Sequence, residues 1–250
     1  MVEEDFEAEA RRILSASKSA GIILNLLGAL AIRLHSPTAR KYASSRQLSD
    51  IDFFGLAKQR EEIIELFKNL GYSPAEQFNF SNFPRALKFF GPQERHVDIW
   101  LDKFEMCHTF DFAKRLDINA DALSVEDLLM TKLQIVELNK KDVIDVICLL
   151  ADHELGKGDR ERLDVDYIAS LCQGNWNVYR TFTMNIQKIL DLIKAGTSKI
   201  ELDDNTQKTA SSKLGELLGS IEAKPKTVGW KLRAKIGEKK TWYESPTLTE

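Results

Sequence analysis

Three aspartates are the residues best placed to do chemistry. In Ser49-Asp50-Ile51-Asp52-Phe53 polar and apolar side chains alternate. On a strand this puts Asp50 and Asp52 on one face and Ile51 and Phe53 on the other. Two carboxylates with the same exposure repel one another unless a cation lies between them, and hard oxygen ligands suit Mg2+ or Mn2+. Asp98 sits in the middle of His96-Val97-Asp98-Ile99-Trp100. A lone aspartate in an apolar strand is unfavourable by propensity, so it is expected to face the same pocket as the pair. Three such carboxylates could hold two divalent ions, activate a hydroxyl and steady a departing pyrophosphate.

Other residues fit around that core of acids. Leu27-Gly28-Ala29 marks a junction between an apolar strand and a helix. A small-residue turn there exposes backbone N–H groups at a helix N-terminus, where a phosphate can bind. Arg46 precedes the aspartate pair by four residues and could reach a triphosphate as a bidentate donor; an exposed loop arginine is the alternative. Ser49, which opens the run, is grouped with the nucleotide-binding candidates. His96 alternates with Asp98 and is placed on its strand face. Met106-Cys107-His108 lacks metal-ligand spacing and is assigned to packing, and Asp102 reads as a strand-end acid.

The elements that must position these residues follow from periodicity. Residues 4–19 read as a helix, IILNLL as a buried strand ending at Gly28, and ALAIRLH as a helix stopped by Ser36-Pro37. TARKYASSRQ reads as a polar loop and LSDIDFFGL as a strand. In residues 57–70, Ile63, Ile64, Phe67 and Leu70 share one helical face. Residues 72–84 look aromatic-rich and irregular. RALKFF and RHVDIWLD form a hairpin around Gly91-Pro92. Beyond Ser124 the pattern is helical, over 124–138, 140–153, 164–173, 177–194 and 206–222. The fold class is therefore α+β, a mixed α/β part to about residue 120 and a helical part after it.

Bulk properties set limits. The 250 residues are 43% hydrophobic and 29% charged, ordinary usage for a folded chain, and the net charge of −3 gives no global pull toward nucleic acid or anionic membrane. Three widely spaced cysteines, Cys107, Cys148 and Cys172, form neither a disulfide framework nor a zinc pattern, which suggests a reducing, cytoplasmic setting. The longest apolar run, Gly21–Leu34, is too short to span a bilayer, and the acidic start does not resemble a signal peptide. No membrane role is expected. The tail AKPKTVGWKLRAKIGEKKTWYE interleaves lysines and arginine with Trp230, Trp242 and Tyr243. It could bind single-stranded nucleic acid such as a tRNA end, or dock on the body of the protein, which is the favoured reading.

At this point the chain resembles a known family. An apolar strand, a Gly-small turn, a helix, Ser49-Asp50-Ile51-Asp52-Phe53 and then Val97-Asp98-Ile99 look like the nucleotidyltransferase superfamily related to DNA polymerase β. Lys132 followed by Lys141-Asp142-Val143-Ile144-Asp145 is similar to a helical motif of the toxin nucleotidyltransferases in abortive-infection toxin–antitoxin systems. Met106 to His108 and TKLQIVELNKKDVIDV resemble bacterial and archaeal nucleotidyltransferase-like proteins. The resemblance implies a nucleotidyltransferase-like core over 1–120, a helical region over 121–222 and the basic aromatic tail over 223–250. It implies that Asp50, Asp52 and Asp98 are metal ligands, with Asp98 lowering the pKa of the attacking hydroxyl. Gly28 and the Ala29 amide would touch the β/γ-phosphates. Lys132 would contact phosphate and Asp142 would orient it or assist the acceptor. The expected activity moves an NMP from an NTP, such as ATP, to the hydroxyl of a small molecule, a protein or a tRNA end. The rival expectation is a nucleotide- or partner-binding module of toxin–antitoxin type with little catalysis. The usual Gly-Gly or Gly-Ser turn is Gly-Ala here, which removes a hydroxyl and keeps the amide.

Overall fold

Residues that alternate apolar and polar build the sheet. In the computed structural model, which describes residues 2–43, 48–92, 95–157, 162–196 and 201–245, five strands form one mixed sheet. They are β1 (Leu24–Leu27), β2 (Asp50–Gly55), β3 (Ser73–Pro74), β4 (Ala86–Phe90) and β5 (His96–Leu101), in the order β1-β2-β5-β4-β3. β2 and β5 run side by side in parallel, while the other neighbours are antiparallel. A parallel pair needs a crossover, and here residues 56–95 supply it: α4 (Arg60–Asn69), β3, α5 (Glu76–Ser81) and β4.

One face of the sheet is a hydrophobic layer. Ile51, Phe53, Leu87, Phe89, Val97 and Ile99 are buried on it, each flanked along its strand by a residue of the opposite face. α4 covers this layer next to α1 (Val2–Ser19), whose Ala10, Ile13 and Leu14 are buried. Phe67 of α4 stacks on Phe89 with ring centroids 4.4 Å apart and meets Phe53 edge-on at 6.4 Å. Truncating a ring so enclosed costs about 3–5 kcal/mol, so Phe67→Ala would loosen the layer that holds β2 against β5.

The second half packs through amphipathic helices: α6 (Val125–Leu133), α7 (Lys140–Asp152), α8 (Val165–Gly174), α9 (Trp176–Lys194) and α10 (Asp204–Ala223). Ala210, Leu214, Leu217 and Ile221 recur at helical spacing on α10 and are buried against α7, α8 and α9. One cluster of buried apolar side chains runs from Ala10 to Ile221. β1 is tied to the connection between the halves: Asn25 Nδ2 lies 3.2, 2.6 and 3.1 Å from the carbonyl oxygens of Leu116, Asn119 and Ala122.

The structure also contains elements that periodicity did not show. Ser36-Pro37 ends α2 (Gly28–His35) as expected and at once starts α3 (Pro37–Lys41): Ser36 Oγ accepts from the Ala39 N–H at 3.0 Å, and Pro37 fills the first helical position. α5 occupies part of the stretch read as irregular, and a small hairpin, β6 (Lys103–Glu105) with β7 (Thr109–Asp111), follows β5. The helix expected over 124–138 ends at Leu133. Within residues 223–250, α11 (Val228–Ile236) lies along α9, where Trp230 meets Tyr179 edge-on at 5.0 Å and Arg233 lies over Trp176 at 4.5 Å. Trp242 Nε1 donates to Thr181 Oγ1 at 3.0 Å. Among the described residues no helix is long and apolar enough to cross a membrane.

Candidate active site

Strand register brings the three aspartates together. Asp50 lies opposite His96 and Asp52 opposite Asp98 across the parallel β2–β5 pair. Alternation then puts Asp50, Asp52, His96 and Asp98 on the sheet face turned away from α4. An oxygen from each of Asp50, Asp52 and Asp98 can be chosen so that all lie within 4.8 Å of one another. That is the separation of carboxylates that share a cation.

The electrostatics agree with the geometry. Burial raises the Asp98 pKa above the ordinary carboxylate value; the Lys88 ammonium opposes the rise, and the Asp50 carboxylate adds to it. Asp98 Oδ1 is buried and accepts no hydrogen bond among the described residues. Lys88, paired with Asp98 from β4, holds its Nζ at 3.7 Å from that oxygen, an ion-pair distance rather than a hydrogen bond. A buried carboxylate oxygen left without a donor, beside two further carboxylates, fits a hard divalent cation such as Mg2+ or Mn2+.

Gly28 joins the site from β1. It follows Leu27, which pairs with Asp52, and it opens α2 with φ +67°. A Cβ at this position would stand 2.1 Å from Asp52 Oδ2, so both the left-handed backbone and the close approach require glycine. The first amides of α2 have no intrahelical partner, and the first turn carries no acidic residue. That helix end favours an anion. Ala29 is buried, so position 29 offers the backbone amide alone.

The other candidates are distributed as follows. Ser49 is exposed immediately before β2, and Arg46 lies outside the described residues. Lys132 and Asp142 meet each other: Lys132 Nζ stands 3.0 Å from Asp142 Oδ1 and 2.9 Å from Asp145 Oδ2, buried between α6 and α7. Asp142 also completes a capping box with Asn139 at the start of α7. Lys132 thus makes a buried ion triad with the two carboxylates. His108 is buried; its Nε2 lies 2.7 Å from Thr181 Oγ1, and desolvation pushes its pKa down to about 4. Asp102 accepts from the Ala57 N–H at 3.0 Å, closing the end of β5 onto the turn that follows β2. All three cysteines are buried free thiols, with Cys148 and Cys172 pushed up to about 12 by burial.

Sequence reasoning passed over Lys88, Phe90 and Phe78. The signal was present: counting back through the hairpin at Gly91-Pro92 puts Lys88 opposite Asp98, and a lysine in a strand of otherwise apolar residues needs a partner. Lys88, Asp52 and Asp98 line a cavity of about 240 Å³ with Phe78, Ala86 and Trp100.

A comparison with models of known protein families gives no match, and neither does one with curated protein sequences. Two solved structures are similar over most of the chain. The solution structure of the antibiotic-resistance factor ANT(2'')-Ia shares 9% identity over 85% of this chain and 92% of its own, with a TM-score of 0.35. The crystal structure of an antigenic nucleotidyltransferase-like protein from Paracoccidioides brasiliensis shares 13% identity over 90% of this chain and 96% of its own, with a TM-score of 0.42. Likeness at this level decides no activity.

Proposed function

We propose that the chain is a metal-dependent nucleotidyltransferase that moves an NMP from an NTP to a hydroxyl acceptor and releases pyrophosphate. The observation that carries this reading is the convergence of Asp50, Asp52 and Asp98 within 4.8 Å beside the Gly28 turn. Asp50, Asp52 and Asp98 would hold Mg2+ or Mn2+, which supplies Lewis-acid stabilisation of the charge on the triphosphate. The α2 amides from Gly28 and Ala29 bind the β/γ-phosphates and orient the leaving group. The acceptor oxygen forms a bond to the α-phosphorus as the bond from that phosphorus to its bridging oxygen breaks, and pyrophosphate leaves with the electron pair. Asp98 takes the hydroxyl proton as the general base. Arg46 and Ser49 are assigned to the triphosphate from their place in the sequence just before Asp50. Lys132, with Asp142 and Asp145, acts in this reading as a pin between α6 and α7, which supports α2 from behind.

The Gly-Ala turn favours a second reading, a nucleotide-binding module with little or no catalysis and a protein or tRNA partner, because Ala29 brings no hydroxyl to the phosphates. Titration of each of the four NTPs, with and without Mg2+ or Mn2+, into the wild type and an Asp50→Asn/Asp52→Asn variant tests both. The transferase reading expects metal-dependent binding that the double variant loses, followed by pyrophosphate release when acceptor is supplied. Metal-dependent binding that never yields pyrophosphate would leave the module. No binding under any condition would overturn both.

A further inference from the structure

The sheet face that carries the aspartates has two ends, and they differ in chemistry. At β1 lies the Gly28 turn. Toward β4 lies a wall made of Lys88 and Phe90 of β4, His96 of β5 and Phe78 of α5. Lys88 is opposite Asp98, and Phe90 is opposite His96, which is itself opposite Asp50. Lys88 and Phe90 alternate with the buried Phe89, as His96 and Asp98 alternate with the buried Val97, so all four project to the acid face. The rings of Phe90 and His96 meet edge-on with centroids 5.1 Å apart, and Phe90 is 43% exposed. Lys88 Nζ stands 4.7 Å from the centre of the Phe78 ring, which α5 brings over the same face.

In phosphoryl transfer the attacking and leaving oxygens lie roughly in line, on opposite sides of the phosphorus. With pyrophosphate at the Gly28 end, the acceptor enters from the β4 end. The geometry points to an acceptor that is itself a nucleotide at the end of a single strand of nucleic acid. Its base stacks on Phe90 and meets the near-perpendicular His96 ring edge-on, its phosphate meets Lys88, and a ribose hydroxyl reaches Asp98. This rests on the transferase reading for the direction of attack. The wall also discriminates. A polycationic acceptor such as an amino sugar would meet the Lys88 ammonium directly beside Asp98, and a saturated ring would leave the Phe90 face uncovered. Base–aromatic stacking tolerates any sequence because every base has a π-face.

The test uses the full chain and a fluorescein-labelled single-stranded RNA octamer of mixed sequence, followed by anisotropy in EDTA. Stacking on the wall needs no metal, so this arm is independent of catalysis. The wild type is expected to bind, and Phe90→Leu, which keeps apolar bulk but removes the π-face, to bind about tenfold or more weakly. Lys88→Met is expected to weaken binding and to flatten its salt dependence by about one phosphate contact. Because Phe90 lies outside the core, an unchanged melting temperature for Phe90→Leu shows that the fold is intact. Absence of RNA binding by the wild type, or binding by Phe90→Leu equal to it, overturns the proposal. So does transfer of labelled NMP to an amine-rich small molecule or a protein in preference to RNA. NTP titration of the wild type is read separately: its failure alongside Phe90-dependent RNA binding would remove the transferase reading and leave the wall as a nucleic-acid surface.

Discussion

Replacing Gly28 by alanine separates two demands that the structure places on one residue. Gly28 has φ +67°, and Gly21, at the end of α1, has φ +69°. Alanine in this left-handed region costs about 1–2 kcal/mol at either position. At Gly21 a new Cβ would have no heavy atom within 4 Å, whereas at Gly28 it would lie 2.1 Å from Asp52 Oδ2 and 3.0 Å from Asp52 Cγ. The Asp52 carboxylate would then have to withdraw by about 1 Å, beyond the ~0.5 Å tolerance within which a functional constellation must be held. Gly28→Ala should therefore lose at least as much stability as Gly21→Ala in urea denaturation, and only Gly28→Ala should lose Mn2+ affinity, by roughly 10- to 100-fold, the scale seen when the support of a metal ligand is disturbed. Calorimetric titration with Mn2+ reads the second quantity. If Gly28→Ala binds Mn2+ as tightly as Gly21→Ala does, the turn does not abut a metal ligand and the site is wrongly drawn.

Further expectations concern charge. Because burial raises the pKa of Asp98, folding favours its protonated form, and that contribution is lost as pH rises through the folded pKa. Asp98→Asn should accordingly stabilise the metal-free protein at pH 7, show no such gain near pH 3, and abolish Mn2+ binding, as denaturation at the two pH values and a titration would show. His108 behaves with the opposite sign. Its pKa falls from 6.5 to about 4 on burial, so its contribution is present above pH 6.5 and lost as pH falls toward 4. From a shift of about 2.5 units it amounts to at most about 3 kcal/mol. His108→Gln should flatten the decline in denaturation midpoint between pH 7 and pH 4.5. Lys132→Met removes the ammonium from between two buried carboxylates, Asp142 and Asp145, and should cost about 3–5 kcal/mol. Adding Asp142→Asn and Asp145→Asn should recover part of that loss, and no recovery would show that the triad is not what Lys132 supports.

The acids were legible because alternation is a local rule. Asp50, Asp52 and Asp98 could be put on one face from their neighbours alone, and the Gly91-Pro92 hairpin fixed the pairing of β4 with β5. Non-local partners were not legible. Nothing near Lys132 in the sequence says that both Asp142 and Asp145 will turn toward it across the α6–α7 junction. Short elements failed for a related reason. β6, β7, α3 and α5 hold too few residues to show a period, and they exist through caps and contacts: Ser36 on Ala39, and Asn79 Oδ1 accepting from the Lys88 N–H at 2.7 Å to seat α5 against β4. The small size of α5 is also why Phe78 was not expected over the acids.

The parallel pairing of β2 with β5 has a consequence for how such a protein can change. The chain leaves the acid pair at Gly55 and returns at His96, and the excursion between them includes Phe78, Lys88 and Phe90. Insertions or deletions in the loops of that excursion leave Asp50, Asp52 and Asp98 in place, provided α4 still covers the sheet and the chain re-enters beside β2 in the same phase. A single residue gained or lost inside β5 ahead of Asp98 would instead turn its carboxylate into the layer of Phe67 and Phe89. Under the proposed transferase reading, acceptor preference and bond-making thus lie on separate stretches of one polypeptide, the first free to drift and the second locked by the parity of a strand.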